Sequence, residues 1–224
     1  MVDKPPTKRN KASEGDIYAF RHPIQARGKE KFNQILDATD KLIVERGVDD
    51  VSLYDIAEHA GVAVGSVYHF FPSMQSTLVA LVERYDQNFA NIVTKPVNPK
   101  LISGWVDVLY HQTERSRQYI NKTPAAMILI LGPGQNWGTR LADADGDNTI
   151  AEAMIDCISS FFHLPNNPPP NEIMLNSIKI LESLWTLSYI RHGTVTDTIA
   201  EETRRAMTAY LSLYWPKYMD PVSR

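Results

Sequence analysis

Residues 52–73 read SLYDIAEHAGVAVGSVYHFFPS. Leu53, Ile56, Ala57 and Ala60 recur at helical spacing behind Ser52, a capping residue, with Asp55 three positions on. Gly61 stops this short helix, and Val62 to Gly65 form a turn. A second short helix is predicted from about Val64 to Phe71. Pro72 breaks it, and Ser73 caps a long helix that runs to about Val93. Two short helices about a tight glycine-containing turn make a helix-turn-helix. The plain alternative is a helical hairpin inside a bundle. Against it stand the small residues Ala63, Val64, Gly65 and Ser66 at the start of the second helix, since a helix end that approaches base edges needs small side chains. Tyr68 and His69 add polar tips on the same helix. The stretch nevertheless carries no Lys or Arg, and its only formal charges are Asp55 and Glu58.

Upstream, Phe32, Ile35, Leu36, Leu42 and Ile43, with Thr39 between, form one apolar stripe of a helix that closes at Arg46-Gly47. Downstream, helices are predicted near 99–121, 124–131, 148–163, 171–192 and 196–215. The breaks fall at Gly132-Pro133-Gly134 and between Leu164 and Pro170. No strand alternation of useful length appears. The fold class is all-α: an N-terminal three-helix unit over 27–73 joined to a larger helical bundle over 74–224. Residues 1–26 are polar and Pro-containing and are expected to be a mobile basic arm.

The formal net charge of −3 over 224 residues hides an asymmetry. Residues 1–31 carry eight Lys or Arg against four acids, a net +4, and the remainder carries −7. A basic arm on an acidic body suits a polyanionic partner; alone it equally suits a solvated tail. The single cysteine, Cys157, excludes an internal disulfide framework and a Cys-rich zinc site, and in the run AMIDCISSFF it reads as a buried hydrophobe. The longest apolar run, AAMILIL (125–131), is too short to cross a membrane. With no signal segment, a cytoplasmic protein is expected. ADADGDN (142–148) alternates acids like a calcium loop, but Asn148 stands where Gly is due and Met154 where Glu is due. It is read as a polar loop with Asp147 or Asn148 capping the next helix, and no metal is expected. No catalytic motif and no cofactor motif is present, so the chain is not expected to be an enzyme.

The helix ending in Glu45-Arg46-Gly47, followed by SLYDIAEHAGVAVGSVYHFFPS, resembles the TetR family of bacterial transcription regulators, over about residues 28–88, with the motif at 52–71. The resemblance implies a homodimer on a palindromic operator, usually a repressor released by a small molecule. It places Ser52 where the family touches a phosphate and Ala63, Val64, Gly65 and Ser66 at the start of the recognition helix. Tyr68 falls on the phosphate-binding tyrosine and His69 on an aromatic that contacts backbone or base. Phe70 and Met74 depart from the pattern, standing where members often carry a His and a Lys. Hydroxyls, backbone N–H groups and helix N-termini grip phosphate without formal charge, so Ser52, Ser73, Tyr68 and His69 can supply register. The Coulombic share is then expected from the arm, with Arg27 and Lys29 nearest the motif.

In the bundle, Trp105, His111, Met127, Trp137 and Trp185 are candidates to line a pocket for a small apolar or aromatic effector. Ile180, Leu184, Ile199, Met207, Tyr210 and Tyr214, on the last two long helices, are candidates for the dimer interface that the resemblance implies. The competing reading is a small-molecule-binding or protein-interaction domain whose motif no longer reads DNA. An α-helical enzyme has only the unassigned pocket behind it.

Overall fold

The computed structural model describes residues 17–132 and 135–222. The order is α1 (Ala26–Arg46), α2 (Leu53–Ala60), α3 (Val64–Phe70), α4 (Met74–Val93), α5 (Trp105–Asn121), α6 (Pro124–Ala126), α7 (Trp137–Ser159), α8 (Pro170–His192) and α9 (Asp197–Leu211). A widened π-type turn, Met127–Leu131, continues α6. Among the described residues there is no strand, only one isolated bridge between Phe162 and Pro221.

The first three helices close as their pattern requires. Phe32, Ile35, Leu36, Ile43, Ile56, Val67 and Phe71 are buried together. Ser52 caps α2 through a complete capping box: its hydroxyl accepts from the Asp55 N–H at 3.3 Å, and its own N–H donates to the Asp55 carboxylate at 2.9 Å. Gly61 takes the left-handed conformation (φ 64°), open to glycine without strain, and its N–H reaches back to Ala57 and Glu58. Ser52→Ala removes the cap and is expected to cost about 1 kcal/mol. Denaturant titration checks this, and a change within error would mean that the Arg46–Asp55 pair alone holds the helix end.

α4 ties this unit to the rest. Arg84 reaches Asp37 at 2.6 Å and Asp40 at 3.5 Å on α1, and the Tyr85 hydroxyl donates to Asp40 at 2.7 Å. Beyond it α5, α7, α8 and α9 pack around Trp105, Ile158, Met174, Met207 and Trp215. Asn121 on α5 pins the α8–α9 turn, accepting from the Val195 N–H and the Thr194 hydroxyl and donating to the Val195 carbonyl.

Two expectations are corrected here. Residues 17–25 are not a free arm. Phe20 packs against Phe32 and Phe71, the Arg21 N–H donates to the Phe70 carbonyl at 3.0 Å, and the ring of Tyr18 lies so close on Gly138 that a Cβ there would collide with it. The segment is a strap from the motif to the start of α7. Irregular backbone has no periodicity, so only its aromatic content hinted at this. The basic residues Lys4, Lys8, Arg9 and Lys11 lie outside the described residues. The second correction concerns ADADGDN. It is not a loop but the middle of α7, which begins at Trp137 behind Asn136, a cap accepting from the Thr139 N–H at 3.0 Å. Asp143 and Asp147 stand four apart on the inward face, where Lys179 of α8 meets them. Of the expected Gly132-Pro133-Gly134 break, residues 133 and 134 lie outside the described residues.

Candidate nucleic-acid interface and ligand chamber

α3 is held by its inner face. Val67 and Phe70 are buried, the Phe70 ring edge-on to Phe32 at 5.7 Å, so Phe70 serves the core. This leaves Ala63, Gly65, Tyr68 and His69 exposed, with Val64 and Ser66 half-buried. Tyr68 is 43% exposed and meets Tyr54 edge-on at 6.2 Å, which steadies a phenol whose hydroxyl stays at the surface. Ser52 is exposed at the start of α2, and Arg27 and Lys29 are exposed in the first turn of α1, which carries no acid at its first positions.

Of the two acids in the motif, Asp55 is paired in place. The Ser52 hydroxyl and N–H hold the Asp55 carboxyl below its ordinary range, with Arg46 adding an ion pair at 3.0 Å. Ser73 is spent internally. Its hydroxyl accepts from the Ser76 N–H at 3.0 Å and donates to the Ile17 carbonyl of the strap, which leaves no donor for a phosphate. The expectation for Ser73 is therefore corrected: it joins the strap to α4. Met74, half-buried, packs on the same core.

The bundle encloses a chamber of about 50 Å³ between α4, α5, the π-type turn, α7 and α8. Phe89, Ile120, Leu131, Met154, Leu181 and Trp185 make it mostly apolar, and Asp86, Asp143, Asp147 and Glu182 give it an acidic end. A wider cleft of about 860 Å³, lined by Trp137, Leu141, Arg140 and Lys179, lies against it and shares Ile130, Asp143 and Glu182. Of the candidate pocket residues, Trp185 lines the chamber and Trp137, 68% exposed, lines the cleft. Trp105, His111 and Met127 line neither. Trp105 is buried edge-on against Trp215, with its indole N–H on the Pro216 carbonyl. Burial sends an aromatic to a core more often than to a pocket, and spacing cannot tell the two apart.

The acids were missed in the sequence because the helix carrying two of them read as a loop. One signal was available: Asp86 is the one charged residue among the buried positions of α4. In the folded chain burial, then the neighbouring acids, push Asp86 up to about 9. Burial and Glu182 push Asp147 up to about 8, and burial and Asp147 push Asp143 up to about 7. Asp143, Asp147 and Glu182 bring carboxylate oxygens within 4.8 Å of one another, a spacing open to a metal ion. The Lys179 ammonium already sits there, paired with Asp147 and with Glu182 at 2.7 Å.

Of the candidate interface residues, Tyr214 is exposed and Ile180, Leu184, Ile199 and Tyr210 are half-buried. Met207 is 0% exposed within its own chain, so it has no surface to offer a partner and is corrected to a core residue. Among the described residues no helix is long and apolar enough to cross a membrane.

A family model described as bacterial regulatory proteins, tetR family, matches residues 35–81. The HTH-type transcriptional repressor KstR of Mycolicibacterium smegmatis is 39% identical over 186 residues, 82% of each chain. KstR of Rhodococcus jostii is 39% identical over 71 residues, so that match spans only 32% of either chain. A TetR-family transcriptional regulator from Streptomyces coelicolor shares the fold with a TM-score of 0.65 at 22% identity, covering 82% of this chain and 99% of that one.

Proposed function

Because the chain belongs to the TetR family of bacterial regulators, we propose that it is a one-component repressor that binds a palindromic operator as a homodimer and is released by a small apolar or aromatic effector. The observation that carries the coupling is α4. Its first turn is capped by Ser73 inside the DNA-reading unit, Arg84 and Tyr85 grip α1, and the next turn supplies Asp86 and Phe89 to the chamber. An effector that prefers an altered chamber therefore acts on the helix that orients the motif.

Ala63, Val64, Gly65 and Ser66 would approach base edges, the apolar ones against thymine methyls. Ser52, Tyr68 and His69 would hold phosphates, with Arg27 and Lys29 beside them. Apolar residues on all sides of α8 support pairing with a second copy. Ile180 and Leu184 would meet Ile199, Tyr210 and Tyr214 there, beside the exposed Ile190 and Leu213.

Selection from a random duplex pool at moderate salt is the test. A palindrome with half-sites about one helical turn apart is expected. Recovery of no motif by a folded protein would mean a binding domain that no longer reads DNA. On the selected duplex, removing residues 1–16 keeps the strap yet discards Lys4, Lys8, Arg9 and Lys11. The log–log salt slope should fall by about 0.9 for each phosphate that is no longer neutralised. An unchanged slope would remove the arm from the binding energy.

A further inference from the structure

Four carboxyl groups converge on the chamber, Asp86 from α4, Asp143 and Asp147 from α7 and Glu182 from α8, against one ammonium, Lys179. Arg140, on the cleft side, is the other cation near Asp143, while Glu83, with His22 at 3.7 Å, and Asp145 lie outside Asp86 and Gly146. α5 contributes no charge, only the hydroxyls of Thr113 and Ser116 beside Ile120. Lys179 serves Asp147, Glu182 and, at 3.9 Å, Asp143. Asp86 remains. It is 5% exposed, its Oδ2 has no hydrogen-bond partner, and it presses so closely on Gly146 that a Cβ there would strike the carboxylate. The Trp185 indole N–H, on a side chain 3% exposed that also lines the chamber, is likewise unpartnered.

Buried polar groups without partners are costly, and two of them, an acid and a donor, line one small chamber. We infer that the chamber takes an apolar molecule carrying a protonated amine, which Asp86 and the flanking acids receive, with a hydroxyl or carbonyl acceptor for the Trp185 N–H. This rests on the effector-binding reading above and gives it a ligand class. A divalent ion fits less well, because Lys179 already occupies the space among Asp143, Asp147 and Glu182. At about 50 Å³ the chamber is too small for a drug-sized molecule, so the ligand's body must part the π-type turn from α8 and extend into the cleft beside Trp137 and Leu141. That movement would act on α4, α7 and α8, the helices bearing the acids.

Acids held protonated by burial must release a proton to receive an ammonium, so binding gains from rising pH. The test is calorimetry on the full chain with decylamine, decanol and decanoate at pH 6, 7 and 8, where an alkylammonium keeps its charge as lysine does. The amine should bind at least about tenfold more tightly than the alcohol, and the carboxylate most weakly. Amine affinity should rise by up to about tenfold per pH unit, as release of one proton requires. Asp86→Asn should abolish the amine's advantage and leave decanol binding unchanged; Asp143→Asn serves if the first variant does not fold. Equal or tighter binding of the alcohol or carboxylate, an Asp86→Asn variant that binds the amine unchanged, or tight binding of Mn²⁺ alone in competition with the amine would overturn the inference. So would failure of all three probes to bind a protein that still binds its duplex. Amine binding that leaves duplex affinity unaltered would uphold the ligand class and overturn the ligand-release reading instead.

Discussion

Phe71→Ala is expected to destabilise the protein by about 3–5 kcal/mol, the usual cost of emptying a large buried aromatic site. Phe71 is 0% exposed, and its ring meets Phe32 at 4.8 Å and Phe20 at 6.1 Å. Three parts of the chain converge there: the end of α3, the inner face of α1 and the strap. The cavity could not close by a side chain swinging in from one element, because each neighbour is anchored elsewhere. Against a total stability of about 5–15 kcal/mol the loss is a large fraction. At roughly 2–4 °C per kcal/mol for a chain of this size, the melting temperature should fall by about 6–20 °C. Thermal melts check this. A fall under about 2 °C would mean that the strap and α3 do not depend on this ring, and the strap would then lose its proposed place in the core.

Asp86→Asn is expected to do the opposite, and most strongly at neutral to alkaline pH. In the folded chain the Asp86 carboxyl is pushed up to about 9; in the unfolded chain it ionises near its ordinary 3.8. Between those values the folded state holds a proton that the unfolded state has released. Stability from this group is therefore fully present below about pH 4 and is lost as pH rises towards 9. Asp147, pushed up to about 8, and Asp143, pushed up to about 7, act in the same direction. An amide of the same shape carries no charge to desolvate. The variant should gain on the order of several kcal/mol at pH 8 and only about 1–2 kcal/mol at pH 5. Urea titrations of both proteins at the two pH values decide it. A variant less stable at pH 8, or equally shifted at both, would mean that Asp86 is a satisfied structural group and not a strained one. A stabilising mutation that also removes amine binding would mark the acid as kept for function at a cost in stability.

The helix-turn-helix was legible because its signals are local. Ser52 with Asp55, Gly61 and the Pro72-Ser73 break each act within a few residues, and α2, α3 and α4 lie within one residue of their predicted ends. The stripe of α1 was legible for the same reason, since one apolar face at helical period has only one way to be buried. α7 failed that reading. Its polar run mixes Asp, Gly and Asn, residues of loop propensity, and tertiary contacts with α4 and α8 overrode that propensity. The strap failed it too, being irregular backbone fastened by Tyr18, Phe20 and the Ser73 hydroxyl to partners far along the chain.

What the sequence by itself determined is the all-α class, the reading motif and the family resemblance, each carried by short-range spacing. Only the tertiary structure decided which tryptophan faces a chamber and which a core, that Met207 is interior, and that Asp86, Asp143, Asp147 and Glu182 converge. The physical reason is range. Caps and periodicities are properties of neighbouring residues, whereas a desolvated cluster exists only when helices distant in sequence exclude water together.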